Sequence, residues 1–148
     1  MRAVLTRVNS ASVTIDGNVK GKIDKGYLVL LGIHENDTEA EALKIADKIN
    51  GLRIFEDENG KMNLNIHDAG CPNILLISQF TLFADCKSRR PGFSKAARPD
   101  KAIPLYELII SKCAQNGFYV QTGEFGADMQ VESVNDGPVT IILDTEEL

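Results

Sequence analysis

The sequence predicts an α+β fold: a single domain over residues 1–148, in which a twisted antiparallel or mixed sheet curls towards a barrel and carries two packed helices. Three observations predict it: short alternating apolar segments broken by tight-turn residues, one continuous apolar run of strand length, and two segments of helical periodicity. Alternation over Met1 to Val8 and Ala11 to Ile15 reads as antiparallel strand, and Asp16-Gly17 is the signature of a two-residue hairpin turn. Val19 to Ile23 returns as the partner strand. Tyr27-Leu28-Val29-Leu30-Leu31-Gly32-Ile33 is apolar throughout, so both of its faces are expected to be covered, in the middle of a sheet.

Thr38-Glu39-Ala40-Glu41 has the spacing of a capping box, and Ala42, Ile45, Ala46 and Ile49 then recur on one helical face before Asn50-Gly51 ends the first helix. Leu52 to Phe55, a turn over Glu56 to Lys61, a short Met62 to Ile66 strand and a long strand over Ile74 to Phe83 follow. Ile103, Tyr106, Ile109, Ile110 and Cys113 share a face of the second helix, with Gly117 as terminator. Pro99 suits a first turn, but the Pro104 ring would meet the carbonyl of Asp100, so the regular helix is expected to begin nearer Ile103 or to bend there. Met129 to Val134 and Val139 to Leu143 read as two strands joined across Asn135-Asp136-Gly137-Pro138.

A chain of 148 residues with 43% apolar content buries roughly two-thirds of the surface its unfolded form exposes, enough to fold without a staple. No apolar run of about 18 residues is present, and charge breaks the amino-terminal apolar residues, so a soluble, cytoplasmic protein without membrane contact is expected. Cys71, Cys86 and Cys113 form neither a CxxC unit nor a zinc pattern and read as free thiols, Cys113 in the core. With His34 and His67 as the two histidines, a histidine-rich metal site is excluded, and no GxSxG elbow accompanies them. No metal or cofactor is expected. Net charge is −5, yet the window from Lys87 to Lys101 holds Lys87, Arg89, Arg90, Lys95, Arg98 and Lys101 against Asp100 alone, which leaves +5 there and −10 elsewhere. Phosphate contacts dominate nucleic-acid affinity, so this local patch suits the end of a nucleic acid and not its whole length.

Two segments stand out chemically. Ser78-Gln79-Phe80-Thr81-Leu82 interrupts an apolar run with polar groups just before the basic window, a place to receive a charged ligand, although Ser, Thr and Gln also occur in ordinary strands. Gly137-Pro138 commonly makes a plain turn, and only about 5–6% of X-Pro bonds are cis. If cis, its two carbonyls can point the same way and suit an α-ammonium group.

These motifs, with Arg7-Val8-Asn9-Ser10-Ala11-Ser12-Val13, Leu52-Arg53-Ile54-Phe55, Gly60-Lys61-Met62-Asn63-Leu64-Asn65, Ala127-Asp128-Met129-Gln130-Val131 and Val134-Asn135-Asp136-Gly137-Pro138-Val139-Thr140, resemble the bacterial-type D-aminoacyl-tRNA deacylases over nearly the whole chain. The resemblance implies hydrolysis of the ester of D-aminoacyl-tRNA, and of glycyl-tRNA mischarged on tRNA(Ala), with rejection of L-aminoacyl-tRNA. It implies a homodimer in which Gly137 and Pro138 of one subunit complete a pocket holding Ser78, Gln79, Phe80 and Thr81 of the other. The Phe80 N–H then faces the developing oxyanion, Gln79 orders the ribose end or the water, Thr81 and Ser78 orient, and the substrate 2′-hydroxyl assists. Phe125 and Met129 are candidates for the adenine, with core packing an equal alternative. Lys87, Arg89 and Arg90 are candidates for phosphates at the tRNA 3′ end, and no DNA is expected as partner. Rival readings are a non-catalytic nucleic-acid-binding module and a Ser hydrolase using His34 or His67.

Overall fold

The computed structural model describes residues 1–148 as eight strands and two α-helices. β1 (Arg2–Ile15) is one strand of 14 residues and not two segments. Its buried positions change phase, from Ala3 and Leu5 to Val8 and then Ala11 and Val13. Ala3 and Leu5 join the helix-side core and Val8, Ala11 and Val13 the opposite one, and the ladder to the last strand slips between Thr6 and Val8 and again between Val8 and Ser10. Asp16 and Gly17 both take positive φ, 49° and 78°, the turn that matches strand twist, and β2 (Asn18–Ile23) returns along β1.

β3 (Gly26–Gly32) lies in the middle of the order β2-β1-β3-β6-β7, antiparallel to β1 and parallel to β6 (Asn73–Ser78). β4 (Phe55–Glu56) and β5 (Met62–Leu64) form a separate small hairpin. β7 (Tyr119–Thr122), a strand the sequence pattern does not announce, adds parallel to β6. The two ends of this sheet approach each other: a Cβ added at Gly21 of β2 would stand 2.9 Å from the Thr122 carbonyl oxygen of β7. Only a residue without a side chain passes there, and the sheet is nearly closed.

α1 (Glu39–Gly51) starts at Thr38, whose hydroxyl accepts from the Ala40 N–H, while the Glu41 carboxylate accepts from the Thr38 N–H at 2.7 Å. The Thr38 hydroxyl also donates to that carboxylate at 2.7 Å, and this bond first, then the one from the Thr38 N–H, holds the Glu41 carboxyl below its usual pKa. α2 spans Pro99–Gln115, four residues longer at its start than expected, with Pro99 in the first turn and Pro104 inside. The helix absorbs Pro104 because that residue and Asp100 both face solvent, where water can satisfy the carbonyl left without its donor. Its buried face is Ala102, Leu105, Tyr106, Ile109 and Cys113, with Ile103 and Ile110 only half-buried at its margin.

Tyr27, Val29, Ile74 and Leu76 meet Ile45, Ile49, Leu105, Tyr106 and Ile109 of the helices in a cluster of 23 buried residues. Each large side chain of this kind contributes about 1.5–3 kcal/mol on burial. The alternate strand residues Leu28, Leu75 and Ile77 point to the opposite face and join Val8, Ala11, Val13 and Ile23 inside the curl. Coverage on both faces explains the unbroken apolar sequences of β3 and β6.

β8 (Gln130–Asp144) runs through Gly137-Pro138 without ending, so the two predicted C-terminal strands are one. Opposite β1, Thr140 pairs with Thr6 and Asn135 with Val8, which leaves Asp136 to Val139 facing Arg7 alone. The surplus residues bow out of the ladder. No helix is long and apolar enough to cross a membrane.

Candidate active site

β6 stops at Ser78, and the motif turns into a 3-10 helix over Phe80–Phe83 in place of the predicted strand to Phe83. Three features of distant sequence impose that turn. The Gln79 N–H donates to the Leu31 carbonyl at 2.7 Å and keeps the end of β6 against β3. Gly32 then admits the turn, since a Cβ there would lie 2.9 Å from Leu82 Cβ and 3.1 Å from the Gln79 carbonyl oxygen. Arg2 reaches across with Nη1 on the Leu82 carbonyl at 3.2 Å and Nε on Asp144 Oδ2 at 2.6 Å, its guanidinium 4.8 Å from the Phe83 ring centre. The alternation expected for residues 78 to 83 is thereby lost, and Phe80 is turned outward, 53% exposed.

A 3-10 helix leaves its first N–H groups without acceptors inside it. Here the Gln79 carbonyl accepts from the Leu82 N–H, so the N–H groups of Phe80 and Thr81 are the ones left over at its start. Phe80 stands at a cleft of about 290 Å³ lined by Ser78, Gln79, Phe80, Phe125 and Met129 among its ten residues. Met129 is fixed over this cleft because Gly123 has no Cβ to collide with its sulfur. Phe125 rests its ring 6.3 Å from that of Tyr106, so it both lines the cleft and leans on the core. Volume does not select this cleft, since a hollow of 520 Å³ lies beside the basic loop and one of 410 Å³ between Ser10 and Val134. A residue with a free main-chain N–H, polar side chains and a soft apolar wall come together here.

Thr81 does not line the cleft, although Gln79 Nε2 donates to its hydroxyl at 2.5 Å. His34 packs edge-on to Phe83 at 5.1 Å and accepts the Asn36 N–H on Nδ1, and His67 lies against Phe118 and Asn50. Neither histidine bonds to Ser78 or Thr81. Cys113 is fully buried and its thiol is pushed up to about 12, and burial raises Cys71 too. Neither is a ready nucleophile. No group of three His, Cys, Asp or Glu residues is placed to hold a metal ion.

Gly137 and Pro138 do not line the cleft of their own chain. At about 3.3 Å per residue, six strand positions separate Gly137 from Val131 at the cleft edge by up to roughly 20 Å. Their peptide bond is cis, and both residues are exposed. Arg7, 5% exposed, supports the bow from below, with Nη1 on the Ile54 carbonyl at 2.8 Å and Nε 3.1 Å from Asp136 Oδ2. The sequence alone did not single out Arg7 for this position; its signal was a charged residue at an inward-facing strand position. Lys87, Arg89 and Arg90 stand exposed on the loop after the 3-10 helix, with Lys87 3.9 Å from Asp85.

A protein from Clostridioides difficile (strain 630) named D-aminoacyl-tRNA deacylase is 54% identical over 99% of this chain and 99% of its own. One of the same name from Geobacillus sp. (strain WCH70) is 53% identical over 99% of this chain and 97% of its own. A solved structure described as c-Myc DNA Unwinding Element Binding Protein superposes with a TM-score of 0.91 at 40% identity, over 98% of this chain and 99% of that one. The family profile described as D-Tyr-tRNA(Tyr) deacylase matches residues 4–144, and the chain belongs to that family.

Proposed function

We propose that the chain carries out the reaction of its family, hydrolysis of the ester between a D-amino acid and the terminal ribose of tRNA, using main-chain groups where other esterases use side chains. Water adds to the acyl carbon, the carbon–oxygen bond to the ribose breaks, and the ribose oxygen leaves as a hydroxyl. The observation that carries this reading is the 3-10 turn at Gln79, which leaves the Phe80 N–H without an intrahelical acceptor beside a cleft of nucleoside size. That N–H stabilises the oxyanion, a role worth about 3–4 kcal/mol per donor in well-formed sites. Gln79 orders the ribose end or the water, Ser78 and Thr81 orient, Phe125 and Met129 flank the adenine, and the substrate 2′-hydroxyl assists departure of its neighbour. Lys87, Arg89 and Arg90 attract the phosphates that follow.

Selection by handedness is assigned to Gly137 and Pro138 of a second subunit. They bow out of β8 into solvent, away from their own cleft, on a strand that pairs only with β1 and exposes Val134 and Ile142. Their carbonyls hold the ammonium while the Phe80 N–H holds the ester oxygen, and an L side chain then points into the wall. Rejection by collision can exceed the ~1–3 kcal/mol of a missing methylene in a fitted pocket. Glycine has no side chain to collide and is cleaved.

A non-catalytic nucleic-acid-binding module is the second reading, favoured by the description of the 40% identical solved structure and by the basic loop. Incubation with D-tyrosyl-, L-tyrosyl- and glycyl-tRNA separates the two. Release of the D-tyrosyl and glycyl groups with the L-tyrosyl ester intact is expected. Tight binding of tRNA or DNA without turnover would replace the enzyme by the module, and equal resistance of glycyl- and L-tyrosyl-tRNA would remove the steric account.

A further inference from the structure

Outside the cleft mouth stands an aromatic pair that the reaction does not use. Phe80 is 53% and Phe93 39% exposed, with ring centres 5.1 Å apart and planes at 73°, so the rings make a corner with free faces in solvent. The loop that presents Phe93 is irregular but tied down. Asp85 and Gly92 exchange backbone hydrogen bonds of 2.8 and 2.9 Å, the Ala96 N–H donates to the Phe93 carbonyl, and the Ala97 N–H donates to the Ile33 carbonyl of the sheet side at 2.8 Å. The ring is therefore held out into water by a fixed backbone. Beyond it opens the 520 Å³ hollow, lined by Phe93, Ser94, Arg98 and Lys101 together with Glu35 and Asp100, and the Lys101 ammonium donates to the Glu35 carbonyl across it. Among the six cations of this loop and helix start, only Lys87 makes an ion pair.

We propose that Phe93, together with the outer face of Phe80, stacks the base of the nucleotide immediately 5′ of the terminal adenosine, and that Arg98 and Lys101 meet the phosphates beyond it. This rests on the reading of the cleft as the seat of that adenosine. Exposed rings interleaved with cations, most of them without a carboxylate partner, are the combination that recognises single-stranded nucleotides. Continuity fixes the order, because Phe80 lines the cleft on one side and touches Phe93 on the other. The charge fixes the class of ligand: two rings amid positive charge repel a basic protein surface and match a phosphate strand. The phosphate track then runs on from Lys87, Arg89 and Arg90 to the start of α2.

The test compares two substrates that differ only beyond the adenosine, D-tyrosyl-tRNA and 3′-O-D-tyrosyl-adenosine. Phe93→Leu is expected to raise KM for the tRNA about ten- to a hundredfold, the range of one lost base stack, with kcat held. Phe93→Tyr restores the wild-type KM. Turnover of D-tyrosyl-adenosine, which has no second base, moves less than about twofold and reports that the variant is folded. Equal losses on both substrates would reduce Phe93 to a prop for Phe80 and overturn the proposal, as would no loss on either. A wild-type protein inert towards both substrates would instead sink the underlying reading of the cleft, and this inference with it.

Discussion

Thr81 gives its hydroxyl oxygen to the Gln79 amide as an acceptor, and no basic side chain is bonded to it. A threonine without a base is a poor nucleophile, so under the proposed function its work is to hold Gln79 in place. Thr81→Ala removes one exposed hydrogen bond, a loss of about 0.5–1.5 kcal/mol, and kcat with D-tyrosyl-tRNA is expected to fall no more than about tenfold. Loss of a true nucleophile costs on the order of a millionfold, so single-turnover kinetics on the folded variant decides between them. At this scale the candidate site was legible in part. Polar residues inside an apolar run pointed to Ser78, Gln79 and Thr81, because burying such groups is costly unless something uses them, while Phe80 entered through the family resemblance. Phe93 carried no comparable signal, since a lone aromatic in a basic loop reads as nothing until the fold sets it 5.1 Å from Phe80. Arg7 belongs to the first of the family-like motifs, yet its task depends on Ile54 and Asp136, which only tertiary structure brings to it.

Elements ended where local chemistry ended them and were misjudged where partners decided. The capping box at Thr38, the Asp16-Gly17 turn and the apolar β3 are properties of neighbouring residues and were readable as such. The 3-10 turn at Phe80 follows from Gly32, Arg2 and the Leu31 carbonyl, none of them nearby in sequence. β1 and β8 each read as two segments because a slipped ladder shifts the alternation, and β7 is too short and too mixed to alternate at all. Pro104 misled in the other direction, as a breaker the helix tolerates on its solvent face. The tolerance still has a cost, one backbone hydrogen bond to the Asp100 carbonyl. Pro104→Ala supplies the missing donor at an exposed position and is expected to stabilise the fold by about 1–3 kcal/mol, read as a higher urea midpoint at unchanged slope. An unchanged or lower midpoint would mean that the ring packs usefully or that its stiffening of the unfolded chain outweighs the lost bond.

For the whole molecule the question is whether one chain holds a complete site. β8 is 15 residues long, is paired on one side only, and exposes Val134 at 57% and Ile142 at 72%. Long apolar edges invite pairing, and under the proposed function a second copy that covers this one would bring its Gly137-Pro138 bow to its partner's cleft. Two variants, each harmless to the other's function, test the exchange. Phe80→Pro removes the proposed oxyanion donor at the first position of the 3-10 helix, where proline fits. Gly137→Ala distorts the bow, since its Cβ would lie 2.9 Å from the Val139 nitrogen at a φ of 125° that side chains rarely adopt. Each homodimer is expected to be inactive towards D-tyrosyl-tRNA. In a mixed dimer, however, the intact cleft of the Gly137→Ala chain receives the intact bow of the Phe80→Pro chain, and one site is whole. Random pairing makes about half of the dimers mixed, so equal co-expression should return about a quarter of wild-type turnover. Purification through two different tags isolates the mixed species and should raise that to about half. A mixed dimer as silent as its parents, with wild-type size and cooperative unfolding, would show that each chain completes its own site, and the cross-subunit account of handedness would have to be given up.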